Sequence, residues 1–369
     1  MDMRCLLITL SIFCSFQLKA QDSTSTFVSA GAHFGYIIPH APAMSHLIRG
    51  HSYGGYVRLM KQVSGAENWH SYYGLPTHGA EFYYSETGNP TQLGKQLALS
   101  YIISLGLNKQ EYTPLHYHHF LNLGLGMGYA TKKWDFEENR QAIALGSRLN
   151  AALTLHYEVH TLKGIYFGFR LTHLSNGAFQ LPNLGTNTIS TTLRFQASKA
   201  VRKMNERELS IHHLAKTFRD KQWSSSFAFA MGAKEVPPLL GRKFLTGSLT
   251  YVLEKRITAK SSIGFGADVF HNSSLKILLA KKESYNNTVW QASQLGALLS
   301  YTLHFGKVQL KIQQGVYAYS LWTDYGLFYQ RVGLRYYVSD RWYTSLNLKT
   351  HFAKADYGEL GIGYSWPRK

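Results

Sequence analysis

A histidine and a serine stand two residues apart near the end of the segment 162–175. The odd positions of this segment are apolar from Ile165 to Leu171, and His173 and Ser175 continue the same row. In an extended strand, residues two apart project from one face with Cβ atoms about 6.5 to 7 Å apart, so an imidazole and a hydroxyl can meet. The pair predicts a serine nucleophile, Ser175, whose proton is taken by His173.

A third polar residue joins this row on the next predicted strand. Asn187 precedes Ile189, Leu193 and Phe195, whose odd positions form an apolar face, so Asn187 should share the face of His173. Its amide oxygen can accept the imidazole N–H and fix the tautomer, which is the role of a carboxylate in most catalytic triads. Asn187 is therefore the predicted third catalytic residue.

Donors for a tetrahedral oxyanion are present in the connection between these two strands. They are the side chains of Asn176 and Asn183 and the backbone amides around Gly177. Two structural interpretations compete with this one. Polar residues such as His173 and Ser175 are tolerated just above the hydrocarbon of a membrane, and Asn183 with Gly185 is also an ordinary turn pair.

The elements that must position these residues are predicted to be membrane-spanning β-strands. After residue 20, no run approaches the about 18 consecutive apolar residues that a membrane helix requires. From about residue 27 onward, apolar and polar residues alternate with a period of two, which is the signature of a transmembrane strand. The 25 Tyr, 20 Phe and 32 Gly, with only 16% charged residues, agree. The predicted fold class is all-β, an antiparallel transmembrane β-barrel.

The strands fall into two groups of about eight. A basic stretch at 199–222, which lacks the alternation, separates the groups and is predicted to be a helix or linker. The predicted organisation is a leader at 1–20, a barrel at 21–198, the linker at 199–222 and a second half at 223–369. The halves form either two small barrels or one wide barrel of about sixteen strands. The predicted strands of the first group are 25–38, 50–62, 78–86, 95–107, 116–130, 147–160, 162–175 and 187–198.

The first twenty residues have the pattern of a cleavable signal peptide. Arg4 precedes an apolar run that extends from Leu6 to Phe16, and the segment ends at Ala20. Both cysteines, Cys5 and Cys14, lie inside it. The exported chain is thus predicted to have no thiol for a disulfide, a nucleophile or a Cys-zinc site.

The formal net charge of +18 indicates a polyanionic partner. At an outer membrane the abundant polyanion is phosphorylated lipid A, which is therefore the expected partner, and no nucleic-acid motif is present. His116 and His118 share one strand face, but metal binding is not predicted because no carboxylate stands nearby. The glycine run at 122–128 lies in a strand and opens no helix, so it does not indicate a nucleotide site. We expect no cofactor and no metal, and the sequence does not predict an oligomeric state.

The run RLTHLSNGAFQLPNLGTN resembles the active-site segment of the outer-membrane lipid A 3-O-deacylases of the PagL type, which are grouped with acyloxyacyl hydrolases of Bacteroidetes. His173, Ser175 and Asn176 match the His-x-Ser-Asn pattern of that family, and Pro182, Asn183 and Gly185 match its outer loop. The resemblance covers about residues 25–198. It implies an eight-stranded barrel with a Ser-His site on its outer surface, which removes an ester-linked acyl chain from lipid A.

One position departs from the family pattern, because Asn187 stands where the deacylases usually have Glu. An amide cannot stabilise an imidazolium by charge. The acidic loop WDFEEN supplies an alternative source of a carboxylate, through Asp135, Glu137 or Glu138.

The sequence therefore predicts an outer-membrane serine esterase that acts on lipid A or a related lipid. The alternative is a barrel without enzymatic activity, such as a porin, an adhesin or a scaffold. No second site is expected at His351, because Ala353 stands in place of the serine and His351 shares its parity with polar Asn347 and Lys349.

Overall fold

The computed structural model of the chain describes residues 26–39, 41–107, 118–162, 164–196, 207, 210–211, 222–237, 239–281, 289–352 and 354–367. The predicted leader and His116 lie outside the described residues, as does nearly all of the predicted linker. No helix within the described ranges is long and apolar enough to cross a membrane.

The first eight strands form a closed antiparallel barrel. Each strand pairs with the next along the chain, and the first pairs with the eighth to close the cylinder. The strands are β1 (Thr26–Ile38), β2 (Ser52–Gln62), β3 (Thr77–Glu86), β4 (Lys95–Gly106), β5 (His118–Ala130), β6 (Leu149–Leu162), β7 (Ile165–Ser175) and β8 (Thr186–Gln196).

The remaining eight strands close a second barrel of the same kind, in which the first strand pairs with the last. The sequence left open one wide barrel or two small ones, and the structure has two. The strands are β9 (Trp223–Val236), β10 (Leu239–Arg256), β11 (Ser261–Asn272), β12 (Ser293–Phe305), β13 (Val308–Tyr319), β14 (Phe328–Tyr337), β15 (Trp342–His351) and β16 (Lys354–Pro367). The connections include the helices α1 (Asn68–Tyr72) and α2 (Ser274–Ala280) and 3₁₀ turns at Pro42–Leu47 and Val289–Ala292.

The predicted alternation of faces is confirmed on β7. Phe167 and Phe169 are 51% and 68% exposed, whereas Arg170 is 2% exposed. Successive side chains of a strand point to opposite faces, so the odd residues of β7 cover the outside of the barrel and the even residues enter its lumen. His173 and Ser175 belong to the outside row.

Charged side chains fill the lumen of the first barrel. Arg58 Nε donates to Glu81 at 2.6 Å, and Arg58 Nη1 donates to Glu158 at 2.8 Å. Arg170 Nη2 donates to the other oxygen of Glu81 at 2.7 Å. An interior of eight strands is just wide enough for side chains to fill. Because the charges are paired across the lumen, they tie opposite walls together.

The second barrel has a similar interior. Arg331 binds Asp268 at 2.9 Å and Glu359 at 2.7 Å, and all three side chains are buried. His351 also points inward, where its Nε2 lies 2.9 Å from the hydroxyl of Tyr317. The prediction that His351 lies on the polar side of its strand is confirmed.

Packed connections cover the first barrel at the end where β7 finishes, which we call the site end. Ile37, Met44, Leu47, Leu93 and Leu145 form a buried apolar cluster there. At the opposite end the two barrels are in contact, because the ring of Tyr73 stacks on that of Phe305 with centroids 4.6 Å apart.

Candidate functional site

Two neighbouring strands place His173 and Asn187 side by side. They are register partners across the β7–β8 pair. Both belong to the outward rows of their strands, as the parity of the sequence predicts. Ser175 is the last residue of β7, two positions beyond His173. The three predicted catalytic residues therefore share one outer patch of the first barrel at its site end.

The imidazole of His173 is held by Asn187. Its Nδ1 lies 2.6 Å from the amide oxygen of Asn187. An amide oxygen only accepts hydrogen bonds, so this contact places the imidazole proton on Nδ1. Nε2 then carries the lone pair that a general base requires.

The hydroxyl of Ser175 faces two N–H donors. Asn183 Nδ2 donates to Ser175 Oγ at 3.0 Å, and the backbone N–H of Gly177 donates to it at 3.2 Å. The Asn183 amide is oriented by its own oxygen, which accepts the backbone N–H of Asn176 at 3.0 Å. Two of the three predicted oxyanion donors thus converge on the serine.

The side chain of Asn176 has a different direction. Its Nδ2 donates to Ser147 Oγ at 2.8 Å and to Gln180 O at 2.9 Å, while its Oδ1 accepts the backbone N–H of Gln180 at 3.2 Å. Asn176 therefore ties the connection 176–185 to itself and to the neighbouring connection 131–148.

Gly185 has no side chain and so leaves room for the side chains of His173 and Ser175 to lie side by side. A Cβ atom built on it would lie 2.8 Å from His173 Cε1 and 3.5 Å from Ser175 Cβ. The imidazole and the serine side chain therefore border the same small volume. The φ of Gly185 is +77°, a conformation that side chains disfavour. Its N–H donates to Ala144 O at 2.8 Å, which anchors it to the packed connections of the site end.

The site is partly enclosed. Although Ser175 lies on the outward face, it is only 8% exposed, because the connection 176–185 folds over it. Its neighbour Leu174 points into the lumen and is completely buried. The enclosure lowers the local dielectric, which strengthens hydrogen bonds to a developing charge.

The acidic connection 131–148 is organised by its own contacts. Asp135 Oδ1 accepts the backbone N–H groups of Glu137 at 3.0 Å and Glu138 at 3.2 Å, and these bonds lower the pKa of the Asp135 carboxyl. Glu137 and Glu138 are exposed, and Asp135 is half-buried. Within the part of the chain that is described, the partner of the His173 Nδ1 is Asn187 rather than one of these carboxylates.

Sequence reasoning missed two residues of the second barrel that contact the site. Glu235 Oε2 accepts the backbone N–H of Leu181 at 2.8 Å, and Lys243 Nζ donates to the carbonyl oxygen of Phe179. Both lie at the site end of their strands. A sequence signal existed, since Glu235 and Lys243 fall on the outward parity of Phe227 and Leu245, but nothing in the sequence indicates what they touch.

The described ranges contain no arrangement of side chains that supports metal binding. Among those residues, no group of three or more His, Cys, Asp and Glu side chains is placed to hold an ion. The predicted pair of His116 and His118 is not informative here, because His116 lies outside the described residues.

Two family models match the chain. The model described as lipid A 3-O-deacylase (PagL) matches residues 55–196, and the model described as acyloxyacyl hydrolase, C-terminal domain, matches residues 223–369. The first match includes β3 to β8 and all of the candidate site residues. The second includes the whole second barrel. Together the two matches cover most of the chain.

Other comparisons add little. No curated protein matches the chain. Among solved structures, a multiple mutant of the Rh. blastica porin has 8% identity and a TM-score of 0.18, covering 93% of this chain and 100% of the porin. A triple mutant of the same Rhodopseudomonas blastica porin has 8% identity and a TM-score of 0.17, with the same coverage. Likeness at this level supports no conclusion.

Proposed function

Because the chain belongs to the lipid A 3-O-deacylase (PagL) family of outer-membrane ester hydrolases, we propose that Ser175 is its nucleophile and His173 its general base. The observation that carries the proposal is the convergence on one outer patch of an oriented imidazole, a serine and two N–H donors. The substrate is lipid A or a related lipid with an ester-linked acyl chain.

The first half of the reaction forms an acyl-enzyme. His173 Nε2 takes the proton of Ser175 Oγ as the oxygen attacks the carbonyl carbon of the acyl ester. Negative charge develops on the carbonyl oxygen and is stabilised by hydrogen bonds from Asn183 Nδ2 and the Gly177 N–H, the two donors beside Ser175 Oγ. When the intermediate collapses, the sugar oxygen leaves and takes the proton from His173.

The second half restores the enzyme. Water enters, His173 removes one of its protons, and the hydroxide formed attacks the acyl carbon bound to Ser175 Oγ. Collapse releases the free fatty acid and returns the proton to the serine. Asn187 holds the Nδ1 proton throughout, so that Nε2 serves as base and then as acid in both halves.

The membrane setting fits this chemistry. The outward face of β7 below the site carries exposed Phe167 and Phe169, which suit contact with hydrocarbon. The longest connection of the first barrel, 131–148, lies at the site end, and the connection 63–76 at the opposite end is shorter. The longest loops of bacterial barrels are extracellular, so we assign the site end to the outer leaflet, where lipopolysaccharide is found.

Export and charge complete the proposal. Residues 1–20 direct export across the inner membrane as a cleaved leader, and residues 199–222 join the two barrels as a basic linker. The net charge of +18 favours attraction to the phosphates of lipid A.

The test is the acyl content of lipid A in cells that produce the protein. We expect mass spectra to show loss of one acyl chain with the wild type and full acylation with Ser175→Ala or His173→Ala. Thr191→Val is the matched control, because it removes a hydroxyl from the outward face of β8. Purified Ser175→Ala should lose activity by roughly 10⁴-fold or more. Identical lipid A from cells with wild type and Ser175→Ala, with equal esterase rates, would show a barrel that does not use this site.

A further inference from the structure

The second barrel contacts the same connection that carries the proposed oxyanion donors. The backbone N–H of Glu235 donates to Ala178 O at 3.1 Å, and its carboxylate accepts the N–H of Leu181 at 2.8 Å. Lys243 donates to the carbonyl of Phe179, and its ammonium lies 4.1 Å from the centre of the Phe179 ring. Three successive parts of the connection are therefore held from outside the first barrel.

In the sequence these contacts lie between the two donors. Ala178 follows Gly177 directly, and Leu181 stands two residues before Asn183. Gly177 itself lies against β15 and β16, since a Cβ built on it would be 3.4 Å from Leu348 Cδ1 and 3.6 Å from Gly358 N. The backbone at Gly177 and Ala178 has φ of +64° and +63°, and the Phe179 N–H donates to Asn176 O at 3.2 Å. The second barrel holds the far side of this tight turn.

Burial of the Glu235 carboxylate at this position costs free energy unless its contacts with the connection 176–185 and with Lys243 compensate for it. It continues the outward row of β9 after Phe227, Phe229 and Met231, which are 42% to 49% exposed, yet Glu235 is 3% exposed. Burial of a carboxylate requires compensation by hydrogen bonds and an opposite charge. The Leu181 N–H supplies the hydrogen bond, and Lys243 Nζ, 2.7 Å from Glu235 Oε1, supplies the charge.

We infer that Glu235 and Lys243 are positioning residues for deacylation, which hold the connection 176–185 so that Asn183 and Gly177 point at Ser175. This inference rests on the proposed function of Ser175. It assigns the second barrel a part in catalysis, because contacts from that barrel hold the connection 176–185 in place. Small displacements of such donors are expensive, because a shift of about 1 Å can reduce a rate about 100-fold.

The test uses the full chain in detergent with lipid A as substrate. Glu235→Ala should lower kcat about 10- to 100-fold and leave KM within about 2-fold, because the donors act on the transition state and not on the bound lipid. Labelling of Ser175 by a fluorophosphonate should slow in parallel. Glu235→Gln should recover much of the rate, since its amide oxygen still accepts the Leu181 N–H, and Lys243→Ala should fall between the two.

The matched control is Phe305→Ala, which weakens the contact between the barrels at the opposite end. It should retain wild-type kcat. The electrophoretic mobility of each variant without heating reports whether the barrels of that variant remain folded. A wild-type kcat for Glu235→Ala, or an effect on KM alone, would overturn the inference. If Glu235→Ala does not fold, Glu235→Gln and Lys243→Ala decide, and wild-type kcat in both would overturn it.

The Ser175→Ala variant distinguishes failure of the inference about Glu235 and Lys243 from failure of the proposed serine mechanism. An inactive Ser175→Ala beside a fully active Glu235→Ala refutes that inference and leaves the serine mechanism in place. An active Ser175→Ala refutes the serine mechanism itself.

Discussion

His173 Nδ1 and Asn187 Oδ1 lie 2.6 Å apart across a register pair of β7 and β8. A neutral amide thus occupies the position that orients the imidazole. It fixes the tautomer through one hydrogen bond and contributes no charge. The consequence is a base whose orientation is secured and whose cationic form is stabilised less than it would be beside a carboxylate.

A carboxylate at position 187 should change the pH dependence of deacylation. In Asn187→Asp, the negative charge favours the imidazolium of His173, so a higher pH is needed to generate the neutral base. We expect the acid limb of the pH profile of kcat/KM to move to higher pH. Asn187→Ala should instead lower kcat by roughly 10- to 100-fold across the profile, since nothing then selects the tautomer. An unshifted acid limb in Asn187→Asp would contradict a coupling between these two side chains.

Asn183 should act on the transition state. In Asn183→Ala the donor to Ser175 Oγ is lost, and we expect kcat to fall about 100-fold with KM nearly unchanged. Asn139→Ala is the matched control, because Asn139 also joins site-end connections but donates to Gln92 O and Lys133 O rather than to Ser175. Steady-state kinetics on lipid A distinguish the two. Equal effects of both substitutions would point to general loosening of the loops.

Gly185 should tolerate no side chain. In Gly185→Ala the new Cβ meets His173 Cε1 at 2.8 Å in a backbone conformation with φ of +77°. We expect a loss of activity of at least about 10-fold from the displaced imidazole and a stability cost of about 1 kcal/mol. Gly326→Ala isolates the backbone term, because φ there is +78° and nothing lies within 4 Å of the new Cβ. Activity assays and thermal unfolding should show that Gly326→Ala shares the stability cost and keeps full activity.

The lumen of the first barrel should be sensitive to the loss of one charge. Glu81→Gln leaves Arg58 and Arg170 with less countercharge in a buried site, and we expect destabilisation by about 3 to 5 kcal/mol. Glu86→Gln on the same strand removes the partner of Lys95 at the surface and should cost at most about 1 kcal/mol. Denaturant unfolding in detergent, followed by tryptophan fluorescence, measures both. Similar midpoints for the two variants would show that the ion pairs of the lumen contribute no more to stability than the surface pair does.

Local patterns were sufficient to predict the strands and the faces of their side chains. Phe167, Arg170 and His173 lie where the parity of the sequence puts them, because side-chain direction in a strand depends only on position along the chain. The same parity correctly placed His351 inside the second barrel. The match of the site segment to the deacylase pattern was equally readable, since His173, Ser175 and Asn183 stand close together in the sequence.

The tertiary structure decided what depends on contacts between distant segments. Closure into two barrels rests on the pairing of β1 with β8 and of β9 with β16, which no local pattern encodes. The contact between Glu235 and Leu181 of the connection 176–185 joins residues 54 positions apart, and only the arrangement of the barrels brings them together. The sequence by itself determined the face on which His173 and Ser175 lie, because alternation is a local property. The folded chain determined how Ser175 is enclosed and what steadies the donors around it, because those depend on long-range packing.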